Sequence, residues 1–415
     1  MHRFLFAWEL GGGLGHTGHV VAAAKALQAA GHTCALALRD LRGLATIDPG
    51  PEIPVWQAPV CIHRYDGLQE PPLNYAEVLM RFGYLDKAML SGLVRGWREL
   101  MRITGTDIVV ADHAPSAILA AKTLGLRCAA LGNAFTVPPL VSPTPGMRPW
   151  LQVPPGRLAG SDKNVLDNIN QVLQEFGVPA LRQLYEMFEV DDIVITNFVE
   201  LDHYARLRPA ADLERVSFCG PIGAQVANAV APPWPADSKN SKRIFAYLKP
   251  DYPHLAATLA ALAACGEPCV IYGLGADNKA LPANAANLHV SAQPIDIARA
   301  GAECTMGICH AGGTSAMLLH AGCPLLLLPT QLEQYLEGAR ISELGAGLVV
   351  NPEEKQPDIA GALTRLLADA QFAQHAKEFA ARYRAWSPDK ILSNTVARLI
   401  AAAEGKRLAT AGAIA

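Results

Sequence analysis

The sequence predicts an α/β protein of two doubly wound domains in tandem with a cleft between them, and three observations carry that expectation. Short apolar runs alternate with helical stretches along nearly the whole chain, the pattern of right-handed β-α-β units around a parallel sheet. The alternation stops over residues 227–243 (ANAVAPPWPADSKNSKR), where Pro, Ala, Ser and charge gather without periodicity, and then restarts. At 415 residues the chain also exceeds one ordinary hydrophobic core.

In the first domain, residues 1–226, the strand Phe4 to Leu10 is followed by a helix from about His19 to Ala30 closed by Gly31, and then by the strand Thr33 to Leu38. Ile108 to Ala111, a helix Pro115 to Leu124 closed by Gly125, and Cys128 to Leu131 repeat the unit. Asp192 to Asn197 and Val216 to Pro221 complete the sheet. Residues 227–243 are the linker. The second domain, residues 244–404, reads as strands at Ile244 to Leu248, Cys269 to Gly273, Leu288 to Val290, Met306 to Cys309, Pro324 to Leu328 and Leu348 to Val350, separated by helices and followed by terminal ones. Residues 405–415 are expected to be a flexible tail.

A formal net charge of -3 argues against an electrostatic nucleic-acid binder. The apolar run Cys323 to Pro329 is a buried strand, far short of the roughly 18 residues of a membrane span. The first ten residues, MHRFLFAWEL, lack an export signal, so a cytoplasmic location is expected. The nine cysteines match no common zinc spacing and read as reduced, buried thiols. The helical stretch Tyr84 to Met101 carries Arg95 and Arg98 beside apolar positions; packing on its own domain is the expectation, ahead of membrane contact.

The stretch WELGGGLGHTGHV allows two chemistries. Gly13, Gly15 and Gly18 have the G-x-G-x-x-G spacing of a dinucleotide loop, with Asp40 at the end of the next strand where a ribose-binding acid would sit. With 35 glycines, that spacing arises by chance in roughly one chain in four of this composition. The same loop places His16 and His19 at the start of a helix, where an imidazole can serve as a base near neutral pH.

In the second half, CHAGGTS (Cys309 to Ser315) sets a glycine turn between a buried strand and a new helix, whose free N–H groups can receive an anion. His310, Gly312, Gly313, Thr314 and Ser315 therefore form a candidate phosphate site. Glu333 and Gln334 open the next helix on the same sheet edge and can grip neighbouring hydroxyls.

The run CHAGGTSAMLLHAGCPLLLLPTQLEQYLEGARISELGAGLVV resembles the donor-binding signature of the GT-B nucleotide-sugar glycosyltransferases, which have two facing Rossmann-like domains. It is similar to the subgroup of UDP-glucuronosyltransferases, plant flavonoid glucosyltransferases and bacterial macrolide glycosyltransferases. The resemblance implies an inverting, metal-independent hexosyl transfer from a UDP- or dTDP-sugar to a hydroxyl of a small-molecule or lipid-like acceptor. The nucleotide-sugar is a co-substrate, and no resident cofactor or metal is implied. His16 becomes the counterpart of the general base and Asp112 of the aspartate that orients it; His19 is the competing histidine, while His113 is expected to point away. Asp112 has the alternative of capping the helix near Pro115. No D-x-D occurs in the chain, in keeping with a metal-free mechanism.

Two departures stand out. The second domain opens Ile244 to Leu248 and then Lys249-Pro250, where the family has a small Gly-Ser or Gly-Thr loop, so Lys249 would supply charge instead. The segment Leu288 to Pro294 lacks the aromatic residue that stacks on the base. Acceptor recognition is expected from the loops Ala58 to Tyr75 and Val137 to Asp162. The competing classes are a non-catalytic nucleotide-sugar-binding partner and, from the first loop and Asp40, an NAD-dependent oxidoreductase.

Overall fold

The computed structural model describes residues 1–223, 228–236, 238, 241–275, 281–282 and 285–409. They form two compact units: residues 1–223 with 388–409, and residues 228–387.

The first unit is a seven-stranded parallel sheet of order β3-β2-β1-β4-β5-β6-β7. Its strands are β1 (Arg3–Trp8), β2 (Thr33–Leu38), β3 (Val55–Gln57), β4 (Ile108–Asp112), β5 (Arg127–Gly132), β6 (Asp192–Ile195) and β7 (Val216–Phe218). Helices cover both faces, so the strands read as unbroken apolar runs, and successive side chains enter opposite cores. Leu5 and Ala7 pack in one core, Phe4, Phe6 and Trp8 in the other. The register aligns Trp8 with Asp112, so β1 and β4 end together.

The second unit is a six-stranded parallel sheet of order β10-β9-β8-β11-β12-β13. It comprises β8 (Ile244–Tyr247), β9 (Cys269–Tyr272), β10 (Leu288–Ser291), β11 (Met306–Cys309), β12 (Leu325–Leu327) and β13 (Gly347–Val349). Each fully buried Leu or Ile of these strands contributes about 1.5–3 kcal/mol of hydrophobic stabilisation.

Three boundaries differ from the expectation. The helix Pro388–Ala403, assigned by sequence to the second domain, buries Val396, Leu399 and Ala402 in the core that holds Phe4, Val20 and Leu27. Arg398 adds an ion pair to Asp192 at 2.9 Å. The described part of the expected linker is part of the second unit: Val230 bridges Ile295, and Trp234 Nε1 donates to Glu303 at 2.9 Å. The tail is tied where it is described, since Arg398 donates to the carbonyls of Leu408 and Ala409; residues 410–415 lie outside the described residues.

The basic stretch forms the helix Lys87–Ile103, capped by the Asp86 side chain, with Leu93, Val94 and Trp97 buried. Arg98 donates to Thr123 Oγ1 at 2.6 Å, and Arg95 pairs with Glu175 at 3.2 Å, so both guanidinium groups are used within the unit. Among the described residues no helix is long and apolar enough to cross a membrane.

Candidate functional site

β1 ends in the glycine loop, and the helix Leu14–Ala29 starts immediately after it. His16 lies in the first turn of that helix and His19 three residues on, which puts both on one face. Asp112 closes β4, the neighbour of β1. His16 Nδ1 lies 2.8 Å from Asp112 Oδ2, with the carboxylate fully buried and the imidazole nearly so. His19 Nε2 lies 2.9 Å from the same oxygen, off the direction of a hydrogen bond. Three ligand-capable atoms, one each from His16, His19 and Asp112, thus fall within 4.8 Å of one another.

Burial alone would raise the Asp112 pKa, but the two imidazoles outweigh it and hold the carboxyl well below its usual range. Asp112 does not cap the helix Pro115–Leu124, whose N-cap is Ala114. Trp8 stacks on His16 at 5.0 Å between ring centroids. Gly11 sits at φ +83°, and a Cβ there would come within 2.8 Å of His16 Nε2, so glycine both accepts the backbone conformation and keeps that nitrogen clear of a side chain.

His113 does not point away. It takes φ +45°, which turns its buried ring to 6.3 Å from that of His16. Burial, and then the nearby His16, lower its pKa to about 3, so it is neutral. Glu9, which sequence reasoning missed, is completely buried beside this cluster; burial raises its carboxyl to about 7 despite a hydrogen bond from Ser116 N–H at 2.9 Å. The two loops expected to meet an acceptor meet each other, since Asn74 Nδ2 donates to Asp162 at 3.0 Å and Arg157 donates to the Pro71 carbonyl at 3.3 Å.

In the second unit the turn after β11 carries Ala311 at φ +68° and Gly312 at φ +89°, and the helix Gly313–His320 follows. His310 is buried and uses both ring nitrogens on backbone: Nδ1 donates to Leu328 O at 2.6 Å, and Nε2 accepts from Lys249 N–H at 2.9 Å. Burial lowers its pKa, so it is a neutral strut joining the ends of β8, β11 and β12. Ser315 is also turned inward. Its hydroxyl reaches Gly312 O at 2.6 Å and Glu337 at 2.5 Å, while the same Glu337 oxygen accepts from Gly312 N–H at 3.0 Å. Gly313 is exposed and Thr314 half-buried at the helix start. Gln334 Oε1 accepts from Thr330 N–H at 2.8 Å and faces its own turn, and Glu333 is half-buried in the first turn of the helix Leu332–Glu343.

Known proteins resemble this chain in part of its sequence and in its fold. Residues 258–397 match the family described as the erythromycin biosynthesis protein CIII-like, C-terminal domain. The erythronolide mycarosyltransferase of Saccharopolyspora erythraea is 33% identical over 134 residues, 31% of this chain and 31% of that protein, so the match spans about a third of the relative's length. Among solved structures, the glycosyltransferase SnogD of Streptomyces nogalater superposes with a TM-score of 0.61 at 20% identity, over 95% of this chain and 99% of its own. The calicheamicin glycosyltransferase CalG4 gives 0.68 at 19% identity, over 95% and 98%. VinC, solved in complex with dTDP, gives 0.63 at 17% identity, over 97% and 99%.

The chain has the GT-B fold. Within this GT-B chain, His16 and Asp112 come together in the first unit, and His310, Gly312, Gly313, Thr314 and Ser315 surround one helix start in the second. Sequence reasoning missed Glu337 because a glutamate one turn into a helix looks like any surface acid; only its approach to Gly312 sets it apart. Asp40, the acid of the dinucleotide reading, is engaged by Arg42 at 2.6 Å and lowered to about 2 by that pairing.

Proposed function

We propose that this chain is an inverting, metal-independent glycosyltransferase that moves a hexose from a dTDP- or UDP-sugar to a hydroxyl of a small-molecule acceptor. The observation that carries the reading is the His16 to Asp112 contact at 2.8 Å, which sets the imidazole with Nδ1 toward the carboxylate and Nε2 toward the glycine loop. The acceptor oxygen attacks the anomeric carbon, its proton passes to His16 Nε2, and the bond from the anomeric carbon to the diphosphate oxygen breaks. Asp112 stabilises the imidazolium that forms, as a buried carboxylate does in other acid–base pairs.

The departing diphosphate gains negative charge, which the helix start at Gly313 and Thr314, the Thr314 hydroxyl and Lys249 would meet. His310 and Ser315 act one step back, by shaping the turn. The match of residues 258–397 to an erythromycin-biosynthesis family, and a neighbour of the same fold solved with dTDP, support a nucleoside diphosphate donor and favour deoxythymidine as its nucleoside.

The test is mass spectrometry of hydroxylated aglycones incubated with dTDP- and UDP-hexoses and the purified chain. A product heavier by one anhydrohexose, formed by wild type and strongly reduced in Asp112→Asn, is expected. Nucleotide binding without any transfer would favour the non-catalytic partner, and micromolar NAD affinity would favour the oxidoreductase.

A further inference from the structure

His19 has no part in the reaction proposed above, yet it closes a cluster that a base and its orienting carboxylate do not need. His16 Nδ1 and His19 Nε2 approach the same Asp112 oxygen at 2.8 and 2.9 Å. His19 Nε2 and the second carboxylate oxygen, Asp112 Oδ1, are both buried and make no hydrogen bond. Two imidazoles and a carboxylate converging from one helix face and one strand end are a nitrogen-rich ligand set suited to zinc(II), and poorly suited to magnesium or calcium, which take oxygen ligands.

We propose that His16, His19 and Asp112 bind zinc(II) or a similar nitrogen-preferring divalent ion, and that the bound ion blocks sugar transfer by occupying His16. With metal–ligand bonds of about 2.0–2.1 Å in tetrahedral array, neighbouring ligand atoms stand about 3.3 Å apart, so the two imidazole-to-carboxylate approaches at 2.8 and 2.9 Å need to open by only about half an ångström. The imidazoles are slightly exposed, at 10% and 13%, while Asp112 is fully buried, so the ion enters from the histidine side and keeps a solvent-facing position for water.

Binding through His16 Nδ1 places the remaining ring proton on Nε2, the atom that must accept the acceptor's proton. The ion and catalysis therefore exclude each other. The inhibition half of the inference rests on the reading of His16 as base; the binding half does not.

The experiment is calorimetric titration of the full, EDTA-stripped chain with zinc sulfate at neutral pH, with cobalt(II) as a spectroscopic probe. One equivalent should bind in the micromolar range or tighter, cobalt should show visible bands of tetrahedral nitrogen–oxygen ligation, and magnesium and calcium should not compete. His19→Ala should lose the cobalt bands and weaken zinc by roughly 100-fold or more, since removing even an outer partner of a metal ligand costs 10–100-fold. Asp112→Asn should weaken it too, which covers the case that one variant misfolds.

Equal zinc affinity in wild type and His19→Ala, or no binding by wild type, overturns the site. Zinc bound by the cluster without inhibition of an active transferase overturns the regulatory half. Zinc binding by a chain that transfers no sugar would instead count against the proposed function and leave the site standing.

Discussion

Glu9 provides the most direct test of the electrostatics beneath the candidate base. It follows Trp8, which stacks on His16, and it is completely buried among Ser116, Tyr75 and Tyr84 with the Arg39 guanidinium nearby; Arg39 itself donates to the Glu9 carbonyl at 2.7 Å. Burial lifts its carboxyl from about 4.5 to about 7. An acid whose folded pKa is raised stabilises the fold fully below its unfolded pKa and loses that contribution as pH rises through the folded one. The loss therefore runs from about pH 4.5 to pH 7, and at 1.36 kcal/mol for each pKa unit it totals about 3 kcal/mol, of which about 2.5 kcal/mol falls between pH 5 and pH 8.5.

Glu9→Gln keeps an acceptor for Ser116 N–H and removes the ionisation. Thermal melts of both proteins over that range should show the wild type losing roughly 5–10 °C relative to the variant, at about 2–4 °C per kcal/mol for a unit of this size. Infrared spectroscopy near pH 6 should show a protonated carboxyl stretch that disappears in Glu9→Gln. Parallel pH profiles for the two proteins would refute the reasoning.

The other predictions concern chemistry and packing. His16→Ala should slow single-turnover sugar transfer by about 10² to 10⁴-fold with nucleotide affinity nearly unchanged, while His19→Ala should cost less than about tenfold; full activity in His16→Ala would remove it as base. Thr314→Ala should weaken dTDP or UDP binding by roughly 10 to 100-fold in calorimetry, the worth of one hydrogen bond to a charged group, whereas Ser315→Ala, which loses its bonds to Gly312 and Glu337, should chiefly lower the melting temperature. EDTA should leave turnover intact, and complete loss restored by magnesium or manganese would contradict the metal-free mechanism. Arg208, fully buried between Asp202 at 2.6 Å and Asp212 at 3.1 Å, should cost about 3–5 kcal/mol in Arg208→Ala by chemical denaturation, because two carboxylates are left buried without their cation.

The amino-acid sequence by itself determined the class and most of the elements, although the short edge strand Val55–Gln57 and the helix Arg157–Glu175 were not legible in it. Runs such as Ile108 to Ala111 and Leu325 to Leu327 are strands because apolar residues in series must be buried on both faces of a parallel sheet, and helices close at Gly125 and Gly266 because those positions take positive φ. These are local properties, carried by neighbours along the chain. The glycine turn at Gly312 was readable for the same reason, and the pairing of His16 with Asp112 followed from resemblance.

What the tertiary structure decided lies between residues far apart in sequence. His16 and Asp112 are 96 positions apart and Arg398 and Asp192 are 206, so neither the sharing of one carboxylate oxygen with His19 nor the return of the last helix to the first unit is encoded by spacing. The same holds for His310, whose ring nitrogens look available in CHAGGTS until Lys249 and Leu328 arrive from other strands to occupy them. Glu9 reads as an ordinary acid in MHRFLFAWEL; only the packing of Tyr75, Tyr84 and Ser116 around it removes the water that would keep its carboxyl at its usual pKa. Periodicity specifies which face of an element is buried, but desolvation and the direction of a hydrogen bond depend on what that face meets.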